Sequence, residues 1–351
     1  MRHVQDRRSL CPLFAAAWLS MLAGLPAAAQ QAPGSVSVSE PQPAPAVAVS
    51  AESKRRLHVA FDHLYNLDFD PALQIFAEVA EAEPDSAAVS AFWSCALLYE
   101  MLAEQGTLQS QLFVTNDFLD KSPPAVDPEL EAQYVSVRED AERRAERRLA
   151  GNPDDVDALF ALGLVYGNAA NYMAGVKARY FRGLRLGERA HDIHSRLREM
   201  RPDIHDTGVV LGVREYVIGT LPRAHRFMLL FVGARGDREL GLEYMRDAVA
   251  HGEFLGPYAQ VLLAMASIRE GDLAAATSLA EDLADRYPRN PLVRLELLKL
   301  YREQRRYEDA ERLARGLLGD LTADPPTDSV LERVRADVMR ELESIGGTAR
   351  Q

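Results

Sequence analysis

From residue 51 to about residue 345, apolar side chains recur at three- and four-residue spacing, and clusters containing Pro, Gly, Asp or Asn interrupt them. No strand-like alternation persists, so the pattern predicts short amphipathic helices joined by turns, an all-α fold. In YNLDFDPALQIFAEVAEAEPDS, Ala72, Phe76 and Val79 share one helical face, and Pro84 ends the helix twelve residues after the alanine. The same interval separates Ala141 from Pro153, Ala190 from Pro202 and Ala276 from Pro288. That recurrence predicts an array of helical pairs in which proline closes the second helix. Gly271-Asp272 and Arg306-Tyr307 stand where the turn into a second helix belongs, ahead of Ala276 and Ala310. In DALFALGLVY, Leu162, Gly163 and Tyr166 set a small residue among large ones, which lets a neighbouring helix approach closely.

These residues resemble the tetratricopeptide repeat, with Leu, Gly or Ala, and Tyr on a first helix and Ala, an aromatic, Ala and Pro on a second. The resemblance covers 51–318. It implies a right-handed α-solenoid of about six hairpins, at 51–84, 87–153, 154–202, 203–252, 255–288 and 289–318. A capping helix near 328–345 and a disordered tail follow within 319–351. The second and third units are too long, which places insertions at 105–130 and 167–186. The fourth unit departs from the pattern: Glu215 replaces the first-helix aromatic, and LPRAHRFMLLFVGARG precedes a second helix beginning near Asp237. The arrangement as a whole, including QLFVTNDFLDKSP, is similar to a group of exported bacterial repeat proteins.

The resemblance further implies a concave groove, lined by the first helices, that binds a peptide or protein segment. Its lining would be Leu57, Phe160, Val209, Val261 and Leu295 at one helical position and Phe61, Leu164, Val213, Met265 and Lys299 at the next. Asn168, Tyr216, Arg269, Lys299 and Arg302 would supply polar contacts at the rim. The Lys and Asn set with which chaperone-binding members hold a terminal carboxylate is missing. Either a partner's apolar segment occupies the groove or the protein's own insertions do.

The first 29 residues read as a cleaved signal peptide, with Arg2, Arg7 and Arg8, an apolar stretch from Pro12 to Leu25, and Ala27-Ala28-Ala29 at its end. The apolar stretch falls short of the ~20 residues that cross a bilayer. Export to the periplasm or cell envelope is expected, followed by a Pro/Ala/Ser-rich disordered linker over 30–50. A net charge of −12 argues against bulk attraction to nucleic acid or anionic lipid. Of the two cysteines, Cys11 lies in the leader, which leaves Cys95 without an internal disulfide partner.

Candidate chemistry is sparse. H-E-x-x-H, G-x-S-x-G, a P-loop and C-x-x-C are all missing, so the chain reads as a non-catalytic interaction scaffold with no cofactor and an unknown protein or peptide partner. The rival reading is a metal-dependent or polymer-processing envelope enzyme using His191, His194 and His205. Against it, His194 occupies a packing position, and Asp203 to Asp206 form a polar turn. A third reading is an envelope-assembly factor resting on a membrane through Phe227–Val232, a stretch that also suits a buried inserted helix. The run Lys177, Arg179, Arg182, Arg185 and Arg189 reads as a solvated cationic helix face, with polyanion binding as its alternative.

Overall fold

The computed structural model describes residues 46–106, 108, 125–221, 236–323 and 329–348. The segment 1–29 expected to be a leader, most of the 105–130 insertion and the Phe227–Val232 stretch lie outside the described residues. Thirteen α-helices, and no strand, occur among the described residues. They form six successive pairs: α1 (Ala51–Tyr65) with α2 (Phe69–Ala82), α3 (Ala87–Glu104) with α4 (Pro128–Gly151), and α5 (Val156–Asn171) with α6 (Tyr180–Met200). The series continues with α7 (Thr207–Thr220) and α8 (Arg238–His251), α9 (Gly256–Glu270) and α10 (Leu273–Arg286), and α11 (Pro291–Glu303) and α12 (Tyr307–Ala323). α13 (Ser329–Thr348) closes the array against α11 and α12. The fold is the expected all-α solenoid of stacked hairpins.

Local signals set these helices. Asp127, Asp155, Asp237, Asp272 and Asn290 accept first-turn amide hydrogens with their own side chains, and Gly271 ends α9 in the left-handed region at φ 79°. Ala72, Ala141, Ala190 and Ala276, the alanines of the twelve-residue interval, are all fully buried where second helices press on first helices. Phe76 and Val79 are buried with Ala72. At ~25 cal/mol per Å² of apolar surface, faces of this kind supply most of the drive to pack.

Of the lengthened third unit, α5 runs on through Asn171 into a single π turn, Tyr172–Val176, before α6 begins. This turn is anchored to α4: the Tyr172 ring lies 4.8 Å from that of Tyr134, and Glu131 accepts from the Tyr172 hydroxyl and pairs with Lys177. The expected insertion at 167–186 is thus helix and π turn packed on the array, and Lys177 from the cationic run is neutralised there.

The fourth pair is held by a different device. Gly208 and Gly212 of α7 bring it against α8 so closely that an added Cβ would sit 2.4 Å from the Tyr244 carbonyl and 2.9 Å from the Gly241 carbonyl. Glu215 explains the departure from an aromatic: it accepts from the Asp237 amide at 2.8 Å and pairs with Arg214 and His191 at 2.7 and 3.1 Å. A buried carboxylate therefore pins the start of α8 to α7 across the intervening segment.

The array also curls back on itself. Tyr65 at the end of α1 donates to the Phe254 carbonyl at 2.9 Å, its ring lies 5.4 Å from Tyr287, and Asn290 donates to the Tyr65 carbonyl at 2.7 Å. Asp68 pairs with Arg289 at 2.7 Å, Lys54 with Glu253 at 2.6 Å, and the Arg333 guanidinium of α13 donates to the Ala103 carbonyl at 2.7 Å. The first hairpin is thereby fastened to the fifth and sixth. Two buried aspartates tie neighbouring units in the same manner. Asp157 accepts from the amides of Ala48 and Ala87 and from the Ser86 hydroxyl, at 2.9–3.0 Å. Asp206 accepts from the amides of Phe254 and Leu255, both at 3.0 Å. The expected linker over 30–50 needs one correction: its last residues are docked, with Val47 buried and Ala48 held by Asp157.

Candidate functional site: the concave face

Five phenylalanines converge where the first helices face inward. Phe61 contacts Phe76, Phe92 and Phe254 at ring-centroid distances of 5.1, 5.0 and 5.4 Å, and Phe92 contacts Phe160 at 5.9 Å. All are buried. Among the proposed groove residues, Leu57, Phe61, Phe160, Leu164 and Val209 are spent in this core and Leu295 in a separate core formed with α12 and α13, while Val213, Val261 and Met265 remain half-buried. Of the two alternatives for the groove, self-filling describes this part of the face. Among the described residues α1 and the turn before α9 meet there, held by the Tyr65 and Asn290 hydrogen bonds, and Leu108 of the 105–130 insertion packs against the same core.

The polar rim residues are mostly committed as well. Asn168 is buried and donates to Ser94 at 3.1 Å. Tyr216 is buried, with its hydroxyl directed at the Ala266 carbonyl 3.4 Å away. Lys299 pairs with Glu296 at 2.7 Å and Arg302 pairs with Glu341 of α13. Arg269 is exposed. Tyr216 thus serves the α7–α9 packing, and burial pushes its hydroxyl pKa up.

An apolar cleft survives between α3, α9, α10 and α11. Tyr99, Val261, Met265, Ile268, Leu292, Val293 and Leu300 line it, Leu108 borders it, and it encloses about 60 Å³. That is space for part of one apolar side chain, well below the ~300 Å³ at which small-molecule sites begin. Asn290 and Glu296 bring polar atoms to its wall.

The three histidines do not form the expected group. His194 is fully buried, its ring stacked 5.7 Å from Phe160 at 4° and its Nε2 donating to the Phe160 carbonyl at 3.0 Å. Gly163 exists for this ring, since a Cβ there would meet it at 1.9 Å. His191 faces Glu215, and His205 lies 3.0 Å from Asp247. The His191/His194/His205 metal site is therefore corrected: packing spends His194, and the other two turn to different carboxylates.

Burial lowers the His194 pKa to about 4, while its hydrogen bonds to backbone oppose the shift. A histidine depressed in the folded state stabilises the fold fully above its unfolded value near 6.5 and loses that stability as pH falls toward 4. Asp206, raised to about 6 by burial against the pull of the Leu255 and Phe254 amides, works in the opposite sense over roughly the same window. In urea melts from pH 7 to pH 4.5, His194→Gln is expected to lose less stability on acidification than the wild type, by about 2–3 kcal/mol. Parallel losses would remove His194 as an acid sensor.

Residues 267–333 match the family model described as "Tetratricopeptide repeat", a span running from the end of α9 into α13. Among solved structures, one titled "Human IFIT1 dimer with m7Gppp-AAAA" is similar at 14% identity and a TM-score of 0.38, over 85% of this chain and 70% of that one. None of the curated proteins compared with the chain matches it. No described helix is long and apolar enough to cross a membrane. Over residues 267–333 the chain is thus similar to the tetratricopeptide repeat, and the hairpins stacked ahead of that segment continue the same order of paired helices.

Proposed function

We propose that this protein is a non-catalytic scaffold of the periplasm or cell envelope that seats an apolar side chain of a partner segment in the cleft between α3, α9 and α11. The observation carrying this reading is that the Val261/Met265/Val293 cleft stays open where the rest of the expected groove has been spent on the protein's own core. A pocket of about 60 Å³ suits an anchoring side chain rather than a substrate. Exposed Arg269, near the cleft on α9, supplies a charge for the flanking part of such a segment. The envelope location rests on the leader-like pattern of the first 29 residues.

The test is a pair of photo-crosslinking positions in the full precursor, expressed in its own cells. A crosslinking residue at Met265 is expected to yield one reproducible protein adduct that disappears with Val293→Glu, while the same residue at Phe61 yields only intramolecular products. An adduct from Met265 that survives Val293→Glu, or none from either position, contradicts the cleft. Val293 is half-buried at the cleft wall, so Val293→Glu should weaken capture at least tenfold, equivalent to about 1.4 kcal/mol or more. Retained helicity separates that loss from unfolding. Fractionation of cells carrying the tagged precursor tests the location, and retention in the cytoplasm contradicts it.

A further inference from the structure

Near the end of α8, Asp247 and His251 stand one turn apart, and the turn entering α7 brings His205 against them. We propose that His205, Asp247 and His251 bind one divalent transition-metal ion of the zinc, cobalt or nickel type. One ligand atom from each residue lies within 4.8 Å of the others. Asp247 Oδ1 is 3.0 Å from His205 Nδ1 and 3.5 Å from His251 Nδ1. Ligands set ~2.0–2.1 Å from a tetrahedral ion are about 3.4 Å apart, and the two edges at Asp247, 3.0 and 3.5 Å, bracket that spacing. The two imidazole rings, 4.9 Å apart between centroids, open the third edge.

The surroundings favour the same assignment. Arg198 of α6 donates to Oδ2 and so orients the carboxylate, with Oδ1 toward His251 and both oxygens 3.0 Å from His205 Nδ1. Side-chain exposures of 29%, 23% and 61% for His205, Asp247 and His251 leave the ion's fourth position to solvent. Two imidazoles and one carboxylate select borderline ions over magnesium or calcium, which prefer all-oxygen shells.

This site is independent of the proposed cleft, and neither result bears on the other. It joins the turn at 202–206 to the end of α8, so a bound ion would lock the start of the fourth hairpin to its finish. The experiment is titration of the full chain, freed of metal by chelation, with cobalt followed by visible absorption and zinc competition. The expected result is one equivalent bound, with the spectrum of a four-coordinate site. Affinity should fall at least tenfold in both His251→Ala and Asp247→Asn and stay unchanged in His58→Ala, a surface histidine on α1. Because His251 is exposed, His251→Ala should fold normally, with helicity as the check. Binding by the wild type that His251→Ala leaves intact, or no binding above the dialysis blank, overturns the assignment.

Discussion

Gly241→Val is expected to destabilise the protein by roughly 3 kcal/mol or more, with loss of the α7–α8 hairpin, even though the new side chain is small. A Cβ at Gly241 would lie 2.5 Å from the Tyr216 amide nitrogen, 2.8 Å from the Gly212 carbonyl and 2.9 Å from the Tyr216 Cα. Those are main-chain atoms of a packed helix, so no rotamer change relieves the overlap. The hairpin would have to separate, and Glu215 would then lose its bond to the Asp237 amide. Gly319, on the exposed face of α12, meets nothing within 4 Å, and Gly319→Ala should stabilise by about 0.5–1 kcal/mol through helix propensity. Urea unfolding of the two variants beside the wild type should therefore move in opposite directions. A tolerated Gly241→Val would show that α7 and α8 stand further apart than described.

Asp157→Ala should cost about 3–5 kcal/mol. Its carboxylate is almost wholly buried and takes three hydrogen bonds, from Ala48, Ser86 and Ala87, which join the segment ahead of α1, the start of α3 and the start of α5. Ser86, at the N-cap of α3, makes no side-chain cap of its own, so Asp157 caps that helix from the next unit. Truncation leaves buried donors without acceptors. Asp157→Asn should be milder for the Ala48 and Ser86 bonds if its oxygen keeps them, yet it turns an amide toward the Ala87 N–H and sets donor against donor. Thermal melts ranking wild type above Asn and Asn above Ala would fit this account. An Ala variant as stable as the wild type would remove Asp157 as a junction.

Much of the fold was legible in the sequence because repetition averages local noise. The twelve-residue alanine-to-proline interval located the second helices of four units, and the alanines proved fully buried at the helix contacts. Gly163 was legible as a close-approach position, but its occupant, the ring of His194, lies 31 residues on in the next helix and leaves no local mark. The groove was read as a continuous lining because the repeat pattern specifies which positions face inward and says nothing about how tightly the array curls. Curvature is decided by contacts such as Tyr65 to Phe254 and Asn290, between residues 189 and 225 positions apart. No local pattern encodes those distances. Asp206 was legible only as part of a polar turn and Asp157 drew no reading, because nothing local shows that each accepts hydrogen bonds from another unit. The glycine spacing of Gly208 and Gly212 was visible in TGVVLGVREYVIG and could have signalled the close contact. The histidines were grouped by proximity in sequence, while His205 finds Asp247 and His251 across the fourth hairpin.

The central claim is that the array closes on itself and spends most of its concave face in doing so. Zero-length carbodiimide coupling tests it directly, because Lys54, Lys121, Lys177 and Lys299 are the only lysines and each crosslink is easily assigned by mass spectrometry. Lys54 lies 2.6 Å from Glu253, so the closed arrangement predicts an amide between them at a yield comparable to the Lys177–Glu131 pair within the array. Formation of the Lys177–Glu131 product without any Lys54–Glu253 product would contradict closure and reopen the whole groove to a partner.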